Sequence, residues 1–286
     1  MKLVRSVCTN MAFPESRKSL DEFRRMAEFL AAKGVKSLEF YHDGPDAAKV
    51  GNVLSDLGLE GVWIGVIPSK EKKVSLCSED GWKEAAEYYD LLGDMAAVNG
   101  IGTMMLNSGW ISPNPEAQLS ALAQSIEYLH NQNDKKGRKL KFVLEPGDSW
   151  MASCQLLGPY QRVKAFCERM DQAGTPLYLT MDSAHSAEEG ENFVEAVEAV
   201  KKYCDHIHFA NCFIRDKASE WYGDQHVGFD WPDTEWTPAT LEMLFGELGR
   251  IYPGDEPLKV ALEYMCREAD PYACFDKHWA SMPFLH

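Results

Sequence analysis

Four side chains able to bind a cation or move a proton stand at equivalent places in four apolar runs. Glu145 closes KFVLE, Asp182 closes LYLTMD, His208 lies in HIHFANC and Glu263 in LKVALEYM. Each run is bounded by breakers and follows a helix-like stretch, so each reads as a buried strand with its polar residue late in it. An unpaired carboxylate at such a place is strongly disfavoured, and a divalent cation supplies the missing compensation. Carboxylates and an imidazole together make a mixed oxygen and nitrogen set. It suits Mn²⁺, Mg²⁺, Co²⁺ or Zn²⁺ rather than a thiolate-only zinc site. Glu145 by itself would be satisfied equally well by an arginine; the set of four is hard to explain without a metal. We expect one divalent ion, with Mn²⁺ as the first candidate. His206 points to the same side as His208 one layer deeper, because strand side chains alternate, and reads as a packed core histidine.

The elements that must position these residues form one repeated unit. Strand-like runs recur at 3–9, 37–41, 61–67, 103–108, 141–146, 177–182, 206–212 and 258–265. Helical patterns fall between them at 19–32, 46–57, 82–98, 115–129, 159–173, 192–203 and 238–251. The first is the clearest: Ser19 and Glu22 have capping-box spacing, and Leu20, Phe23, Met26, Ala27 and Leu30 share one face. Gly34, Gly58, Gly100 and Gly174 each sit where a helix should stop before the next strand, a place that favours the left-handed conformation. Helix, glycine and apolar strand in rotation describe βα units with parallel strands, and eight such units close a (β/α)₈ barrel in a single domain. No GxGxxG or GxxxxGK[ST] marks a nucleotide-binding sheet. In such barrels function gathers at the carboxyl ends of the strands. His42, Asn107, Glu145, Asp182, His185, His208 and Glu263 all fall late in their runs or just past them.

Charge and composition narrow the partners. The 286-residue chain carries 44 acids against 29 Lys and Arg, a net charge of −15. Gripping a phosphate backbone takes clustered cations, so nucleic acid is not an expected partner. The one dense basic run, KKGRKLK at 135–141, reads as a solvated turn. No apolar stretch approaches a membrane span, and the first residues lack a signal-peptide pattern. The eight cysteines include no CxxC pair and lie mostly in apolar segments, as reduced thiols of a cytoplasmic protein would.

With these residues in place the chain resembles the xylose-isomerase-like TIM barrels, a superfamily of sugar isomerases, epimerases, dehydratases and apurinic-site endonucleases. The matching pieces are LEP around Glu145, MDSAH with Asp182 and His185, HIHFAN with His208, Arg215 shortly after, and ALEY with Glu263. The resemblance implies a metal-dependent isomerase or epimerase working through an enediolate on a small sugar. Glu145, Asp182, His208 and Glu263 would hold the ion, and the two glutamates would also act as acid and base. His185 and Arg215 would contact the substrate. It also implies a homo-oligomer, a dimer or tetramer. The same ligands would serve a lyase acting on a keto-inositol or a 3-keto-glycoside, so the ligand set does not choose among these reactions.

Some features depart from the family pattern. Ketose 3-epimerases carry a further glutamate soon after the strand-five ligand, whereas this chain reads EPGDSW and offers Asp148. An aromatic-rich insertion at about 213–237 reads as a lid, with Trp221, Tyr222, Trp231 and Trp236 turned to a sugar or its aglycone, or else as an oligomer contact. Within it, Asp224 and His226 repeat an Asp-x-His of the endonucleases, yet strand four ends in Asn107 where those enzymes place histidine. His226 is expected as a substrate contact or a surface residue. Asn107 and Trp110 could bond and stack on a sugar, although a tight turn accounts for Asn-Ser-Gly equally. No phosphate loop is evident, so a non-phosphorylated substrate is expected. A barrel that only binds sugars or a partner subunit is the non-catalytic alternative.

Overall fold

Local signals in the sequence set the element boundaries. Side-chain oxygens of Ser19, Asn114, Asp182, Asn192, Thr237 and Asp270 accept backbone N–H groups at helix starts. Each such cap contributes about 1 kcal/mol. Gly34, Gly58, Gly100 and Gly174 all adopt positive φ, between 63° and 85°, where a Cβ would be strained. In the computed structural model, which describes residues 1–65 and 75–286, these units close on themselves.

The strands are β1 (Lys2–Cys8), β2 (Ser37–Phe40), β3 (Glu60–Ile64), β4 (Thr103–Asn107), β5 (Lys141–Glu145), β6 (Tyr178–Asp182), β7 (Cys204–Phe209) and β8 (Pro257–Leu262). They pair in parallel in chain order, and β8 returns to β1 to complete a barrel. The last residues of the run expected at 61–67 lie outside the described residues. The helices are α1 (Thr9–Ala12), α2 (Leu20–Ala32), α3 (Val50–Leu57), α4 (Trp82–Val98), α5 (Pro115–Lys136), α6 (Tyr160–Gln172), α7 (Ser183–Glu189), α8 (Phe193–Val200), α9 (Pro238–Ile251) and α10 (Pro271–Ala280). On α2 the side chains of Phe23, Met26, Ala27 and Leu30 are fully buried, the face its periodicity predicts. The short α7 and the closing α10 carry little apolar period and were not anticipated.

The basic run at 135–141 is not simply a solvated turn. α5 extends through Lys136 to the left-handed Gly137, and Arg138 is almost wholly buried. Lys136 and Arg138 bind Asp90 and Asp94 of α4 at 2.5–2.8 Å, and Lys141 reaches Asp205 on β7 at 2.6 Å. No disulfide joins the described cysteines, and among the described residues no helix is long and apolar enough to cross a membrane.

Candidate metal centre and cleft

The carboxyl ends of β5 to β8 bring four ligand types to one place. Glu145 and Asp182 end their strands, His208 is the penultimate residue of β7, and Glu263 stands one residue past β8. The register sets Asp182 beside His208, and the Glu263 backbone N–H donates to Phe209 O at 3.0 Å. Ligand atoms of Glu145, Asp182, His208 and Glu263 all lie within 4.8 Å of one another. His208 Nδ1 is 2.7 Å from Glu145 Oε1, 2.5 Å from Glu263 Oε2 and 3.8 Å from Asp182 Oδ2.

Three of these groups, Asp182, His208 and Glu263, are hydrogen-bonded through their other polar atom. Asp182 Oδ1 accepts the His185 N–H at 2.9 Å as the cap of α7, and Glu263 Oε1 accepts the Cys8 thiol at 3.3 Å. Glu145 Oε1, Asp182 Oδ2, His208 Nδ1 and Glu263 Oε2 are buried without a well-aligned hydrogen bond, and the near polar contact of these Glu145 and Glu263 oxygens is with His208. Three carboxylates gathered round one imidazole repel one another, a proton on His208 offsets only part of that charge, and a divalent cation among them would offset the rest. The donor set fits a divalent ion by its chemistry.

The electrostatics carry the same strain. Burial pushes the Glu145 and Asp182 carboxyls above their usual range, and the charge of Glu263 adds to it. Glu263 goes the other way: burial opposes, but His208 and His226 hold it at about 2. Burial works against a charged His208, yet Glu263, Glu39 and Glu145 raise it well above an ordinary imidazole.

Above these ligands opens a cleft of about 560 Å³. Glu145, Glu263, His185, His226, Asn107 and Trp110 line it, whereas Asp182 and His208 lie beneath as its floor. Asn107 also accepts the Gly109 N–H at 2.9 Å, so it shapes the turn as well as the cleft wall. His226 is buried, not at the surface, with Nε2 2.8 Å from Asp224 Oδ1. His185, Asp224 and His226 form a second group of ligand-type side chains within 4.8 Å of one another.

Several expected placements change. Arg215 is not at the cleft: its side chain is exposed and pairs with Glu235 at 3.1 Å. Arg17, overlooked in the sequence, is the one Lys or Arg among the described residues lining the cleft, and it bonds Tyr41. Of the insertion's aromatics only Tyr222 faces the cleft. Trp221 packs at a tilt against Trp231, ring centroids 4.7 Å apart, beneath Arg267, and Trp236 donates to Ser183 O at 2.9 Å, so these rings hold the loop itself. Asp148 is buried and accepts the backbone N–H groups of Trp150, Met151, Ala152 and Ser153, which commits it to organising that loop. His42 packs edge-on against Phe23 and accepts the Gly44 N–H.

Two buried acids were also missed. Glu39 on β2 meets His208 Nε2 at 2.8 Å, and Glu188 meets His185 Nδ1 at 3.2 Å. For Glu188 a signal existed, since it stands one helical turn after His185. For Glu39 the only mark was an acid inside an otherwise apolar strand.

No protein-family profile and no curated protein sequence matches the chain. In three dimensions it is similar to a 3-keto-D-glucoside 4-epimerase from E. coli, at 17% identity and TM-score 0.69 over 99% of each chain. A D-tagatose 3-epimerase-like protein superposes at 15% identity and TM-score 0.70, over 100% of this chain and 98% of that one. An AP endonuclease of family 2 from Brucella melitensis superposes at 14% identity and TM-score 0.69 over 98% of each. The chain has the fold of the xylose-isomerase-like TIM barrels.

Proposed function

We propose that this chain is a divalent-metal-dependent isomerase or epimerase of small neutral sugars. One observation carries it: ligand-type atoms of four side chains, all within 4.8 Å of one another, meet beneath a cleft that two of the same residues, Glu145 and Glu263, also line. A divalent cation bound there supplies positive charge beside the substrate oxygen on which negative charge develops when a neighbouring C–H proton leaves. Glu145 and Glu263 are the two ligand carboxylates that reach the cleft, so they take the roles of base and acid. Proton return to the adjacent carbon is isomerisation, and return to the opposite face of the same carbon is epimerisation.

The cleft lining favours an uncharged polyol. Asn10, Asn107, Gln155 and Gln225 offer amides for hydroxyl groups, while Trp110, Tyr41 and Tyr222 offer flat apolar faces. His185 and His226, each held by a carboxylate, are placed as donors to substrate oxygens. The charge of −15, Asn107 on β4 and the inward-packed His42 all stand against a nuclease. The rings of Trp110 and Tyr222 in the lining would also suit the aglycone of a glycoside, for which the same two acids would serve an elimination.

Incubating ketoses, aldoses and 3-keto-glycosides with the Mn²⁺-loaded protein in deuterated water distinguishes these outcomes by NMR. Deuterium entering an intact carbon skeleton supports isomerisation or epimerisation; a released fragment supports elimination. Glu145→Gln and Glu263→Gln should each lower turnover by about 10²-fold or more, the usual worth of a positioned acid or base. Near-normal rates in both variants would refute the assignment.

A further inference from the structure

Glu39 is a buried carboxylate in a place where the fold alone gives no reason for one. It lies on β2 between Leu38 and Phe40, beside Cys8 of β1, and has no exposed surface. Burying an ion costs several kcal/mol even after relaxation, and an apolar side chain would fill the space without that cost. Its two oxygens are both engaged. Oε1 accepts the Ser6 hydroxyl at 2.9 Å, and Oε2 meets His208 Nε2 at 2.8 Å from the opposite side of the barrel. Both Glu39 and His208 are wholly buried. An ionised carboxylate can only accept, so the proton of this bond sits on Nε2, and the other ring nitrogen is the one turned to Glu145, Asp182 and Glu263.

We propose that Glu39 is a positioning residue for the metal centre. It fixes the His208 ring with Nε2 protonated and the Nδ1 lone pair directed at the ion, and it raises the basicity of that ligand. The half of the barrel that contributes no ligand thereby sets the ligand geometry of the other half. This rests on the metal-centre assignment above.

The test compares the parent with Glu39→Gln and Glu39→Ala. Gln retains an acceptor for Nε2–H while its amide donates to Ser6, and so loses only the charge; Ala loses the acceptor too. Metal-stripped proteins are titrated with Mn²⁺ by calorimetry, and the His208 ring nitrogens are observed by ¹⁵N NMR in the Zn²⁺-loaded state. Affinity should fall about 10-fold in Glu39→Gln and up to about 100-fold in Glu39→Ala, the span usual for loss of such a partner. The Nε2 proton signal should persist in the parent and in Gln and broaden or vanish in Ala. Unchanged affinity and unchanged ¹⁵N signals in both variants overturn the proposal while leaving the metal centre intact. Failure of the parent to bind either metal overturns the metal centre, and Glu39's role with it. Should Ala not fold, the near-isosteric Gln still decides through its affinity.

Discussion

Asp182→Asn separates what the proposed metal site does for binding from what it does to the fold. Asp182 has two duties on two oxygens. Oδ1 caps α7 by accepting the His185 N–H at 2.9 Å, and the buried Oδ2 faces the other ligands without a hydrogen-bond partner. Asn caps a helix as well as Asp does, so the first duty survives the exchange. The charge facing Glu145 and Glu263 is removed, and burial already disfavours that charge in the metal-free protein. The stripped variant should therefore unfold within about 0.5 kcal/mol of the parent, or above it, as a change that breaks no satisfied bond does. With metal the order reverses. At free Mn²⁺ about 100 times the parent's Kd, binding stabilises the parent by about 2.7 kcal/mol. A ligand loss that weakens Kd about 100-fold leaves the variant about 0.4 kcal/mol under the same conditions. For a chain of this size each kcal/mol moves Tm by about 2 °C, so Mn²⁺ should raise Tm by about 5 °C in the parent and about 1 °C in the variant. Calorimetric scans of chelated and Mn²⁺-loaded samples read both quantities. Equal metal-induced shifts, or a stripped variant weaker by more than about 2 kcal/mol, would refute the reasoning.

Two further predictions concern the scaffold. Burial disfavours the Asp205 charge, but His206 at 2.7 Å and Lys141 at 2.6 Å hold its carboxyl well below the ordinary range. Its folded pKa being depressed, its contribution is present above the usual carboxylate pKa and is lost as pH falls. Asp205→Asn should cost about 1–3 kcal/mol in urea unfolding at pH 7, with the gap to the parent closing below about pH 4; a gap that widens in acid contradicts this. Arg138→Ala removes a buried side chain that bonds Asp90 and Asp94 of α4, and because Lys136 still pairs with both acids it should cost about 1–3 kcal/mol, whereas Lys135→Ala at an exposed position should stay within about 0.5 kcal/mol. Denaturant midpoints for the two variants check the contrast, and similar losses in both would contradict it.

Much of the architecture was legible because it is written locally. A helix stop at Gly34, Gly58, Gly100 or Gly174 depends on one residue's access to positive φ, and a cap such as Ser19 depends on neighbours three residues away. Apolar runs ending in Glu145, Asp182, His208 and Glu263 mark strand ends for the same reason, and parallel βα units leave those ends on one rim. The meeting of these four side chains was therefore foreseeable from order and type alone.

What the chain order could not reveal is which groups meet once the barrel has closed. Arg215 follows the β7 motif closely, yet its side chain turns outward to Glu235, and Arg17 from the other end of the chain takes the place at the cleft. Asp148 sits near Glu145 in sequence, but the backbone donors of 150–153 claim it. Lys136 and Arg138 look solvated until α4 packs beside them. Glu39 and His208 are 169 residues apart and come within hydrogen-bond distance only across the closed barrel. Sequence alone determined the residue types, their periods and the strand ends, because those depend on neighbours along the backbone. Tertiary structure alone decided the partners of buried charges, because a charge removed from water is satisfied by whatever lies nearest in space.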